Sequence, residues 1–183
     1  AKKGVISTVD LDKQRLVQKA RNSQSIVGVD LVKEVTCQKS YLFEETLLPG
    51  FEWPGQFGAG RKKIKRQKKY FVVCIDGGIK FNILRKLNQH GFRVMVVPSF
   101  TTADEILAMN PDGVFISNGP GDPEPVKDMI ETARNLIGKK PIFGICLGQQ
   151  ILGLSLGGKT FKLKFGHRGG NHPVMDLKTE RIE

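Results

Sequence analysis

The sequence predicts an α/β fold: an open, mostly parallel sheet flanked by helices and preceded by the tail of another domain. Three observations carry that prediction. From Tyr70 onward, apolar runs of strand length alternate with segments of helical spacing. Most of the runs stop at glycine, proline or a small polar residue. A cysteine, Cys146, stands between Gly144 and Gly148, where an apolar run gives way to a helix. Strands alternating with helices imply parallel pairing through right-handed crossovers, with functional residues at the C-terminal ends of the strands.

The first strand is expected over 70–76, closed by Gly77-Gly78. A helix with apolar Ile79, Ile83, Leu84 and Leu87 follows to about Gly91, with His90 at its C-terminal end. Residues 92–97 form the next strand, stopped by Pro98. A short helix over 103–109, a third strand over 113–117 and a longer helix over 126–137 come next. Residues 141–145 read as a fourth, buried strand running into Cys146, after which Ile151-Leu152-Gly153-Leu154 continues an apolar helix.

Composition bounds the function classes. At 183 residues and 39% hydrophobic the chain can bury a substantial core, and it contains nothing like the roughly 20 apolar residues of a membrane span. Ala1-Lys2-Lys3-Gly4 does not read as a signal peptide, since polar Ser7, Thr8 and Asp10 follow at once. Cys37, Cys74 and Cys146 are odd in number, far apart and free of CxxC spacing. They suggest neither a disulfide framework nor a metal site, and fit a reducing, cytoplasmic setting.

The net charge of +11 is local: seven basic residues lie in 61–69, leaving +4 for the rest. That run follows a Gly/Pro-rich stretch over 49–60 and precedes the first strand, so residues 46–69 read as a linker between a first segment, 1–45, and a domain over 70–183. Trp53 and Phe57 are too few for a base-stacking platform, which argues against a nucleic-acid partner.

Two loops carry chemistry. Gly144-Ile145-Cys146-Leu147-Gly148-Gln149-Gln150 is a nucleophile elbow with cysteine in the nucleophile's place. Side chains at the flanking glycines would crowd a residue held in strained dihedrals, and the helix that begins after Cys146 aims its N–H groups and positive dipole end at the sulfur. The alternative is a buried cysteine serving as a small hydrophobe. The second loop, Asn118-Gly119-Pro120-Gly121-Asp122-Pro123, is stiffened by two prolines and leaves its backbone open at two glycines. It reads either as an ordinary turn or, preferred here, as a backbone surface preorganised for a ligand.

Together the two loops resemble the glutamine-binding loop and cysteine elbow of the class I glutamine amidotransferases. Within that family, Asp30-Leu31-Val32-Lys33-Glu34-Val35-Thr36, the turn Asp76-Gly77-Gly78-Ile79-Lys80, Asn82-Ile83-Leu84-Arg85 and Phe165-Gly166-His167-Arg168-Gly169-Gly170-Asn171-His172-Pro173-Val174 are similar to the small, glutaminase subunits of carbamoyl-phosphate synthetases. Residues 44–69 match no motif of that family. Gln149 stands where a histidine is usual.

The resemblance implies hydrolysis of L-glutamine through a thioester, with Cys146 as nucleophile and the backbone N–H groups of Gly119 and Leu147 as the oxyanion hole. Gly119, Gly121, Leu147 and Gln150 would bind the substrate. It further implies that the ammonia passes to a large synthetase subunit, which binds ATP and magnesium and serves pyrimidine and arginine biosynthesis. No cofactor is expected on this chain, which has no phosphate-cradling glycine motif of its own. By the same resemblance, residues 1–45 correspond to the end of an N-terminal domain, and the histidine and glutamate of the triad are expected beyond Glu183. His172-Pro173-Val174 only imitates their His-Pro-Glu motif, and His90, His167 and His172 are given no catalytic role. The chain alone is therefore expected to hydrolyse glutamine barely. The alternatives are an amidotransferase subunit of another synthase, a deglycase-like cysteine enzyme on the same scaffold, and a non-catalytic amidotransferase-like binding module.

Overall fold

The computed structural model describes residues 3–45, 70–163 and 173–182. The basic run at 61–69, the loop at 49–60, and His167 and His172 lie outside the described residues. The chain forms two compact units, Ser25–Thr160 and a smaller one made of Ala1–Gln24 with Phe161–Glu183.

In the smaller unit, helix α1 (Lys13–Asn22) starts where the Asp12 carboxylate accepts the N–H groups of Gln14 at 2.8 Å and Arg15 at 3.1 Å. The Arg15 guanidinium lies 2.8 Å from Asp10 and holds that carboxyl below its usual range. Met175 and Ile182 form an isolated antiparallel bridge.

The larger unit contains helix α2 (Val32–Val35), strand β1 (Tyr41–Phe43), strand β2 (Phe71–Asp76), helix α3 (Phe81–Gln89), strand β3 (Arg93–Pro98) and helix α4 (Ala103–Ala108). Strand β4 (Gly113–Ile116), helix α5 (Lys127–Leu136), strand β5 (Ile142–Gly144) and helix α6 (Leu147–Ser155) complete it. The sheet order is β1-β3-β2-β4-β5, with β3, β2, β4 and β5 parallel and β1 antiparallel to β3.

Successive side chains of a strand point to opposite faces, and the sheet buries both. Val73 and Ile75 of β2 join Val97, Ile116, Met129, Leu136 and Ile151 on one side, under α4, α5 and α6. Val72 and Cys74 join Phe43, Leu84, Val94, Val96 and Phe115 on the other, under α3. Each fully buried Ile or Leu contributes about 1.5–3 kcal/mol relative to exposure. Double-sided burial explains why the strands read as continuous apolar runs.

Several details differ from the sequence expectation. Helix α3 begins at Phe81 rather than near Ile79, because the Asp76 carboxylate takes the N–H groups of Gly78 and Ile79, each at 2.8 Å, and holds the chain in a turn. Pro98, expected to stop the strand after Val97, is instead its last residue, opposite Asp76. Strand β5, expected to be buried, lies at the sheet's edge among the described residues, and Phe143 is 64% exposed. Residues 25–45, read from sequence as part of a preceding segment, lie in the same compact unit as the sheet, where Tyr41–Phe43 pairs with Val94–Val96.

Candidate active site

Because β2, β4 and β5 are adjacent and parallel, the chain segments leaving their C-terminal ends are neighbours. These segments are the turn after Asp76, the loop from Ser117 to Asp122, and the elbow at Cys146.

The elbow is built by close backbone approach. Cys146 has φ 55° and ψ −109°, a left-handed conformation that costs a non-glycine residue on the order of 1–3 kcal/mol. Its neighbours give the strain no outlet. The Ile145 N–H donates to the Ile116 carbonyl at 3.1 Å, and the Cys146 carbonyl accepts the N–H groups of Gln149 at 3.1 Å and Gln150 at 3.2 Å. A Cβ on Gly144 would lie 2.5 Å from the Gly148 carbonyl carbon, and one on Gly148 would lie 2.2 Å from the Ile116 carbonyl oxygen. The two glycines are thus required by backbone packed on backbone, a more specific reason than crowding of Cys146 itself.

Cys146 is the N-cap of α6, its thiol exposed and making no capping bond, so the sulfur stands at the positive end of a nine-residue helix. Gln150 lies one helical turn beyond it, on the same face, and is exposed. The buried Leu147 side chain packs against Gly119, where a Cβ would fall 2.5 Å from Leu147 Cδ2 and 2.3 Å from the Gly77 carbonyl oxygen. The structure therefore brings Gly119 and Leu147 together beside Cys146. Neither the Leu147 nor the Gly119 N–H donates to another group among the described residues.

The loop carrying Gly119 is braced from both ends. Ser117 is fully buried; its hydroxyl accepts the Gly77 N–H at 2.8 Å and donates to the Asn118 carbonyl at 2.7 Å. The Asn118 side chain donates to the Gly78 carbonyl at 2.9 Å and accepts the Lys80 N–H at 3.2 Å. Gly121 adopts φ +83° and abuts Leu31, and the Asp122 carboxylate accepts the Gly28 N–H at 3.0 Å. The 28–37 segment continues across the strand ends: Cys37 N–H donates to Asp76 at 2.8 Å and Ser99 N–H to the Thr36 hydroxyl at 2.9 Å. Sequence reading assigned none of these bracing roles. An aspartate closing a strand before Gly-Gly signals the turn at Asp76, whereas no local pattern marks the contacts of Gly28, Leu31 or Ser117.

The other cysteines differ in kind from Cys146. Burial, and then the Asp76 carboxylate, push the Cys37 thiol up to about 11, and burial raises Cys74 further still. His90 is the C-cap of α3, just before β3 begins, and so lies towards the N-terminal ends of the parallel strands, whereas the elbow follows the C-terminal end of β5. No group of three metal-ligating side chains occurs among the described residues, and no described helix is long and apolar enough to cross a membrane.

An exposed cysteine at a positive-φ strand-to-helix turn, beside a glycine loop, has the geometry of a nucleophile elbow. Residues 73–183 match the family Glutamine amidotransferase class-I, and the chain belongs to that family. It is 53% identical over its whole length to the carbamoyl phosphate synthase small chain of Syntrophotalea carbinolica, covering 47% of that protein. It is 50% identical over 99% of its length to that of Aquifex aeolicus, again covering 47%. To the chloroplastic small chain of rice (Oryza sativa subsp. japonica) it is 46% identical over 98% of its length, covering 39%. The chain thus spans about half the length of the curated relatives it matches.

Proposed function

We propose that this chain carries the glutaminase site of a carbamoyl phosphate synthase small chain. The exposed Cys146 thiol at the head of α6, with the free Leu147 and Gly119 amides next to it, is the observation that carries the reading.

The Cys146 sulfur attacks the side-chain carboxamide carbon of L-glutamine, forming an S–C bond and a tetrahedral oxyanion. The N–H groups of Leu147 and Gly119 stabilise that oxyanion, each typically worth on the order of a hundred- to thousandfold in rate. Gly121 and Gln150 orient the substrate. The C–N bond then breaks, the nitrogen leaves with an added proton as ammonia, and water hydrolyses the thioester to glutamate, freeing the thiol. A basic group must accept the thiol proton and return it to the leaving nitrogen, and no described histidine stands at the elbow.

The ammonia is taken up by a large synthase chain that supplies ATP and magnesium, and the setting is the cytoplasm. The roughly 50% identity to small chains along the whole sequence supports this choice over another synthase's amidotransferase. The non-catalytic reading is disfavoured by the retained strain at Cys146, which a scaffold role would not require. In the test, the full-length protein converts glutamine to glutamate and ammonia, and Cys146→Ala abolishes this while ammonia-dependent synthesis by the complex with the large chain persists. Full glutaminase activity in the Cys146→Ala protein overturns the proposal.

A further inference from the structure

We propose that Ser117 is a positioning residue that sets the direction of the Gly119 oxyanion donor; the inference rests on the glutaminase reading above. The peptide joining Asn118 to Gly119 contains both the Asn118 carbonyl and the Gly119 N–H. No peptide bond of the described chain is cis, so these two groups point in opposite directions. The Asn118 carbonyl is captured by the Ser117 hydroxyl at 2.7 Å, and the same hydroxyl is itself fixed by the Gly77 N–H at 2.8 Å. Holding the carbonyl on the Ser117–Gly77 side directs the Gly119 N–H away from it, and that N–H makes no bond to another described residue.

The rest of the network prevents the loop from taking up slack. Gly77 is tethered at both ends of its residue: its N–H is held by Ser117, and its carbonyl oxygen touches the Gly119 backbone so closely that no Cβ fits between. Asp76 anchors the same turn through the N–H groups of Gly78 and Ile79. Ser117 is wholly buried and so cannot itself meet substrate. Its hydroxyl is the one side-chain group, among the described residues, that bonds the peptide bearing the donor. An oxyanion donor contributes to the rate only if it is aimed before the charge develops, so loss of this hydroxyl lowers turnover more than substrate affinity.

The experiment compares full-length wild type, Ser117→Ala, Ser117→Thr and Ser117→Cys for glutamine hydrolysis and for Cys146 alkylation by iodoacetamide, which needs no oxyanion hole. Expected for Ser117→Ala are a ten- to hundredfold fall in kcat, KM within about threefold, and an alkylation rate within about twofold of wild type. Ser117→Thr, which keeps the hydroxyl, recovers most of the kcat. Unchanged kcat in Ser117→Ala, a change confined to KM, or a threonine variant as slow as the alanine one overturns the proposal. If Ser117→Ala does not fold, near-isosteric Ser117→Cys decides: reduced kcat supports the proposal and wild-type kcat overturns it. Should wild type itself fail to hydrolyse glutamine, the glutaminase reading falls and takes this inference with it. If wild type is active and the Ser117 variants are equally so, only the role of Ser117 falls.

Discussion

Gly148, in the first turn of α6, lies so close to Ile116 at the end of β4 that a Cβ on it would sit 2.2 Å from the Ile116 carbonyl oxygen. The helix that presents Cys146 is therefore seated directly on the sheet's backbone. Gly148→Ala must push α6 away from β4, and overpacking of this kind typically costs about 1–3 kcal/mol. Urea denaturation is expected to show that loss, together with reduced glutaminase activity in the full-length protein. Wild-type stability would mean that α6 shifts freely.

The left-handed backbone at Cys146 makes a second prediction. Cys146→Gly relieves the strain, whereas Cys146→Ala keeps it, so the glycine variant is expected to be the more stable by about 1–2 kcal/mol. The comparison is offset by the greater freedom of glycine in the unfolded chain, worth about 0.4–1 kcal/mol in the other direction. Paired thermal melts of the two variants measure the difference. Equal or reversed stabilities would show that the strain at this residue is no larger than that offset.

Thiol chemistry separates the three cysteines. Cys146 is exposed, while burial holds Cys37 and Cys74 as protonated thiols at neutral pH. Brief treatment of the native protein with iodoacetamide near pH 8, followed by peptide mass spectrometry, is expected to find Cys146 modified first. Prior modification of Cys37 or Cys74 would remove the basis for the elbow assignment.

Cys37 also predicts an alkaline response. Its thiol ionises near 9 when the chain is unfolded and at about 11 when folded, so between those values the native state holds more protons than the unfolded one. Stability contributed by this group is intact below pH 9 and declines as pH rises towards about 11. Tyr41, raised by burial and nearby negative charge, acts in the same direction. Denaturant midpoints measured from pH 8 to 11 should fall less steeply in Cys37→Ala than in wild type. Parallel slopes would show that Cys37 ionises alike in both states.

The sequence by itself determined the alternation of strands and helices, the parallel sheet and the two loops that converge at its C-terminal edge. These features are local: periodicity follows from which faces are buried, and Gly144, Cys146 and Gly148 mark a turn within a few residues of one another. Only the tertiary structure decided what holds those loops. The hydrogen bonds from Gly28 to Asp122, Ser99 to Thr36, Cys37 to Asp76 and Gly77 to Ser117 join residues 94, 63, 39 and 40 positions apart. Contacts across such separations leave no periodic trace, because each needs one donor and one acceptor rather than a pattern of faces. The same reason accounts for β1 and β5. Strand order is set by pairing across the sheet, so the antiparallel edge at Tyr41–Phe43 and the exposure of Phe143 emerge only when the chain is folded.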